Sequence, residues 1–96
     1  MPLKIVWTPR ARARLRQIRA FVAPDKPEVK PESAARLTTR MVAVIEALRE
    51  HPYLGRSGAE PGSRELVIGG TPYIVSYWLE GERVIISTIQ HGAQRR

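Results

Sequence analysis

The chain has 96 residues, no cysteine, and 16 basic against 9 acidic side chains, for a net charge of +7. That length predicts one small domain, residues 1–96, with a modest core, and the lack of cysteine excludes a disulfide scaffold or a thiolate zinc site. No stretch nears the roughly 18 apolar residues of a membrane span and no signal-peptide run follows the first basic residue, so a soluble cytoplasmic protein is expected.

The charge is unevenly spread. Thirteen of the 16 basic residues are arginine, and residues 1–23 hold Lys4, Arg10, Arg12, Arg14, Arg16 and Arg19 with no acid. Arginine's planar fork suits phosphates and carboxylates equally. A nucleic acid and an acidic protein therefore both fit as partners.

Lys4 to Trp7 reads as a short apolar strand. Thr8 then stands where it can cap a helix, and Pro9 fits the first helical position, whose N–H would be unpaired in any case. Ala11, Leu15, Ile18 and Val22 recur at helical spacing and form one buried stripe. Arg12, Arg16 and Arg19 flank it on one side, Arg10 and Arg14 on the other, with stems that can cover the core edge while the guanidinium groups stay wet.

Pro24, Pro27 and Pro31 interrupt the pattern, so Ala23 to Pro31 is a linker between helices. The spacing of Leu37, Met41, Val44, Ile45 and Leu48 predicts a second helix from about Glu32 to Glu50, stopped at His51-Pro52. Two amphipathic helices joined by a short linker need a further surface to pack on.

The rest of the chain supplies that surface. Tyr53 to Gly62 reads as a loop, and Arg64 to Ile68 as a strand. Gly69-Gly70 is a two-residue hairpin turn, and Thr71 to Leu79 a second strand. Tyr73, Val75 and Tyr77 alternate on one face of that strand and Trp78 lies on the other, with core packing expected for the tyrosines. Glu80-Gly81-Glu82 turns the chain into a third strand, Arg83 to Gln90, and the tail HGAQRR leaves the sheet. The expected class is α+β: an N-terminal strand, a helical hairpin, then a three-stranded antiparallel meander packed under the two helices.

Several of these segments together resemble one family. The opening I-V-W-T-P-R-A with a leucine in the next turn is similar to the start of RelE/ParE toxins of bacterial type II toxin–antitoxin systems. So are L-R-E-H-P-Y-L-G-R, G-S-R-E-L-V-I-G-G-T-P-Y-I-V-S-Y and the ending V-I-I-S-T-I-Q-H-G-A-Q. The likeness runs from about Lys4 to Gln94 in family order. It implies a growth inhibitor, often serving plasmid stabilisation, neutralised by a small antitoxin that is acidic where it wraps the toxin. The arginines Arg12, Arg16 and Arg19 are the expected antitoxin-binding or nucleic-acid-facing residues.

The family divides by target, and fold alone does not choose. ParE-like members inhibit DNA gyrase; RelE-like members cleave mRNA in the ribosomal A site. Metal-free RNA cleavage needs a base for the 2′-hydroxyl, a cation for the phosphate and an acid for the leaving oxygen. For a nuclease, the resemblance puts Arg64 on the phosphate and His91 where the family keeps a general acid or a stacking residue, and imidazole can serve as acid or base near neutral pH. Arg56 and Glu60 are then the substrate-binding candidates, with Glu60 the possible base. Against that reading, the lysine cluster of ribosome-dependent members is absent, with only Lys4, Lys26 and Lys30 present, and no tyrosine follows His91. The ParE-like role is favoured. No cofactor is expected, and two isolated histidines do not make a metal site.

Overall fold

In the computed structural model, residues 2–20 and 31–92 are described. Strand β1 (Lys4–Trp7) leads into helix α1 (Pro9–Arg19), and helix α2 (Pro31–Glu46) tightens into a 3-10 turn at Ala47–Arg49. Strands β2 (Arg56–Ser57), β3 (Ser63–Val67), β4 (Tyr73–Glu80) and β5 (Arg83–His91) follow. The sheet order is β1-β5-β4-β3-β2. Val22, most of the proline-rich linker and the tail beyond Gly92 lie outside the described residues.

Thr8 explains why β1 gives way to a helix at once. Its backbone is extended (φ −68°, ψ 157°), and its hydroxyl oxygen accepts the Ala11 N–H at 3.1 Å. The same hydroxyl donates to the carbonyls of Ile86 and Ser87 at 2.8 and 2.9 Å, so one side chain caps α1 and fastens it to β5. Pro9 occupies the first turn, as expected.

Ala11 and Ile18 are buried, and Leu15 packs half-buried beside them. From α2 come Met41 and Ile45, and from the 3-10 turn Leu48, all fully buried, with Leu37 and Val44 at their edge. They meet Leu66, Ile68, Val75, Tyr77, Val84, Ile86 and Ile89 on one face of the sheet. Both helices thus share that face, which leaves the other to Ser76, Trp78 and their neighbours.

Four features differ from the sequence reading. First, β1 joins the sheet beside β5 in parallel, Lys4 opposite Arg83 through Trp7 opposite Ile86. A parallel neighbour needs a long crossover, which the helical hairpin supplies. Second, the loop after Tyr53 contains β2, whose Arg56 and Ser57 pair with Glu65 and Arg64. Third, the Gly69-Gly70 connection spans four residues. Thr71 N–H donates to the Ile68 carbonyl at 3.1 Å and Ile68 N–H to the Tyr73 carbonyl at 3.0 Å, with Gly70 at φ +77°. Positive φ at the third position of such a turn is where glycine is favoured. Fourth, β5 bulges. Val75 faces Ile89 but Tyr77 faces Ile86, and the extra residue puts both isoleucines on the core face where strict alternation would separate them. No helix among the described residues is long and apolar enough to cross a membrane.

Candidate functional site

Arg64 sits on β3 opposite Tyr77 of β4 and Ser57 of β2. It is half-buried, with its guanidinium carbon 4.8 Å from the centroid of the Tyr53 ring. Its Nε is buried and has no acceptor among the described residues. Glu65, the adjacent acid, points to the opposite face and stands 4.0 Å from Nε of Arg56. The Arg56 side chain is 65% exposed while that of Glu65 is 8% exposed, so Arg56 reaches out of the sheet from a buried carboxylate.

His91 closes β5 opposite Tyr73. Their rings meet edge to face, centroids 5.6 Å apart and planes at 81°. The Arg64 and His91 positions therefore lie opposite β4 residues Tyr77 and Tyr73, four apart along the strand and on its two different sides. At about 3.3 Å per residue and 4.8 Å per strand spacing, their backbones stand about 16 Å apart. The fold does not bring these two nuclease candidates together.

Glu60 lies elsewhere again, in the loop between β2 and β3, where Ser63 Oγ donates to its carbonyl at 2.7 Å and accepts from its N–H at 3.2 Å. It lines a groove of about 420 Å³ on the sheet face away from the helices, together with Arg10, Glu65, Trp78, Thr88 and Gln90. The four nuclease candidates thus fall in three places: Arg64 under Tyr53, His91 against Tyr73, and Arg56 and Glu60 toward the open face. Among the described residues no three His, Cys, Asp or Glu side chains converge on a metal position.

The arginines of α1 divide into two sets. Arg12, Arg16 and Arg19 are exposed, and Arg16 and Arg19 border a cleft between the helices floored by Leu15 and Val42 with Thr38 and Thr39. Arg10 and Arg14 line a second groove on the other flank, against Gln17, Thr88, Ile89 and Gln90. Arg14 Nε donates to the Ile89 carbonyl at 3.2 Å and so closes part of the β5 edge that β1 leaves uncovered.

A family model described as the ParE toxin of the type II toxin–antitoxin system parDE matches residues 5–96. The chain belongs to the ParE toxin family. The Sinorhizobium fredii protein Y4kP is 38% identical to this toxin over 92 residues, covering 96% of this chain and 91% of its own. Toxin RelE2 of Caulobacter vibrioides is 34% identical over 91 residues, covering 95% and 97%. A solved structure titled as the chromosomal ParDE system of P. aeruginosa has the same fold, with TM-score 0.79 and 23% identity over 93% of this chain and 95% of that one.

Sequence placed Arg10 and Arg14 together on one flank of α1, but only the position of β5 shows what that flank meets. One surface feature of the toxin was not singled out from sequence. Tyr53 and Leu54 are 70% and 54% exposed. Sequence placed both in the loop Tyr53 to Gly62, but nothing local shows that the loop turns both apolar side chains outward.

Proposed function

We propose that this toxin arrests growth by binding and inhibiting DNA gyrase, without chemistry of its own, and that it acts in the cytoplasm under the control of a cognate antitoxin. One observation supports the choice of target: Arg64 and His91, the cation and the acid of the nuclease reading, flank β4 on its two sides opposite residues four apart, with backbones about 16 Å from each other. General acid catalysis requires hydrogen-bond contact with the leaving oxygen, a demand that this backbone spacing makes harder to meet. Inhibition by binding asks only for a surface.

The experiment is expression of the wild-type toxin and of His91→Gln in growing cells, with the DNA-damage response and mRNA cleavage followed together. Both proteins are expected to arrest growth to the same extent and to raise the damage response. Cleaved messages that disappear in His91→Gln would point to the nuclease instead. That alternative, ribosome-dependent mRNA cleavage, has one structural argument in its favour: the open groove sets Glu60 and Arg10 beside Trp78, a carboxylate, a cation and an aromatic ring in a space suited to a nucleotide.

The antitoxin is best accommodated by the cleft between α1 and α2. Its floor is apolar at Leu15 and Val42, and Arg16 and Arg19 form its rim. An amphipathic acidic segment matches both properties, and complementary charge would raise its on-rate and specificity. Reversing both arginines, Arg16→Glu with Arg19→Glu, is expected to weaken binding of the neighbouring-gene antitoxin by about tenfold or more. The loss should shrink as salt screens exposed charges. Calorimetric titration at two ionic strengths reads both effects, and an unchanged affinity removes the cleft from the account.

A further inference from the structure

Among the described residues, the most exposed large apolar side chains, Tyr53 and Leu54, are consecutive and sit on one turn between α2 and β2. Single exposed apolar residues are ordinary. This pair is different because the core holds its turn in place. The hydroxyl of Tyr77, itself fully buried, donates to the Pro52 carbonyl at 2.8 Å and accepts the Gly55 N–H at 2.9 Å. One core side chain therefore clamps the turn on both sides of Tyr53-Leu54. A third tie runs from Leu54 N–H to the His51 carbonyl at 3.1 Å. Gly55 is buried against that clamp with no room for a Cβ, the nearest atoms being 2.7 and 2.8 Å away. Arg64 in turn lies 4.8 Å from the Tyr53 ring centroid.

A tyrosine and an arginine stacked together on a fixed turn match the residue types that dominate binding energy at protein interfaces. A side chain already held before binding also loses less freedom when a partner covers it. Nothing in the core requires Tyr53 or Leu54 to be apolar, since both project from it. A positive charge lies directly beneath the ring, on Arg64.

We infer that the Tyr53-Leu54 turn, backed by Arg64, is the surface with which the toxin grips its target, fitting an apolar socket rimmed by carboxylates on DNA gyrase. This rests on the gyrase reading above. Tyr53 and Leu54 enter the socket, and Arg64 meets its acidic rim. The Tyr77 clamp is a positioning device that keeps the anchor presented.

The test is a supercoiling assay with purified DNA gyrase and three full-length toxins: wild type, Tyr53→Ala with Leu54→Ala, and Val67→Ser. Val67 is 50% exposed on the opposite face of the sheet and serves as an apolar control away from the turn. The double variant is expected to need about tenfold or more toxin for half-inhibition, while Val67→Ser matches wild type. Thermal melts of all three establish that they are folded, which the exposure of the changed side chains leads one to expect. A folded double variant that inhibits as well as wild type overturns the inference and leaves the gyrase reading standing. Wild type without effect on gyrase overturns both. A double variant that changes only the toxin's own elution volume on size exclusion assigns the turn to self-association and likewise overturns the inference.

Discussion

Gly55→Ala is expected to cost the toxin about 2–4 kcal/mol of stability, although it adds a single methyl group. Gly55 does not have a positive φ, so its backbone is one that alanine adopts freely, and the cost comes from space. The added Cβ would stand 2.7 Å from the Tyr77 hydroxyl, 2.8 Å from the Glu65 carbonyl oxygen and 2.8 Å from a Tyr77 ring carbon. The carbonyl belongs to a strand paired on both sides, and the ring is fully buried. Neither can give way, so the turn must move, and the hydrogen bonds from Gly55 and to Pro52 go with it. In a domain of this size, such a loss lowers the melting temperature by about 10–25 °C. Circular dichroism melts read it directly. A shift of only one or two degrees would show that the turn yields and that Tyr77 does not hold it firmly.

Ile86→Ala should be comparably damaging, at about 2–5 kcal/mol, whereas Ile86→Val should cost about 0.5–1.5. Ile86 is fully buried and pairs on one side with Trp7 of β1 and on the other with Tyr77 of β4. Its carbonyl receives both the N–H and the hydroxyl of Thr8, at 3.2 and 2.8 Å. The residue therefore joins the edge strand, the first helix and the meander at one point. Alanine would leave a cavity beneath α1 that these attachments prevent from collapsing. Against a total stability of about 5–14 kcal/mol, the loss is a large fraction. Urea unfolding of the two variants provides the comparison. Equal midpoints for alanine and valine would contradict this packing.

Much of the fold was legible because local signals agreed with one another. Thr8-Pro9 marks a helix start by chemistry that needs no tertiary context. The spacing of Met41, Ile45 and Leu48 marks a buried face by geometry alone. The turn at Gly81-Glu82 followed from glycine, which takes φ +59° at the first central position of the hairpin. What was not legible depends on residues far apart in sequence. The parallel pairing of Lys4–Trp7 with β5 joins segments some eighty residues apart, and no local pattern encodes it. The bulge in β5 did leave a trace: Ile86 and Ile89 break a two-residue alternation, and both can be buried only if one residue is looped out.

The candidate site was less legible than the fold. Arg64 and His91, at the start of one strand and the end of another, were grouped by family resemblance, which carries no register of its own. Register decides otherwise, since they face residues four apart on β4. The two arginine sets of α1 were separable by helix geometry, yet what each faces depends on α2 and β5. Tyr53 and Leu54 were hardest to place: their exposure follows from the Tyr77 hydroxyl, which arrives from a strand more than twenty residues away.

The most direct test of a target reached by binding alone is the supercoiling rate of purified DNA gyrase as wild-type toxin is titrated in. Purified ribosomes with mRNA serve as the parallel arm. Inhibition should saturate as gyrase is occupied, and the ribosome-bound mRNA should stay whole at the same toxin concentrations. Full gyrase activity at every concentration, alongside cut mRNA, would contradict the account.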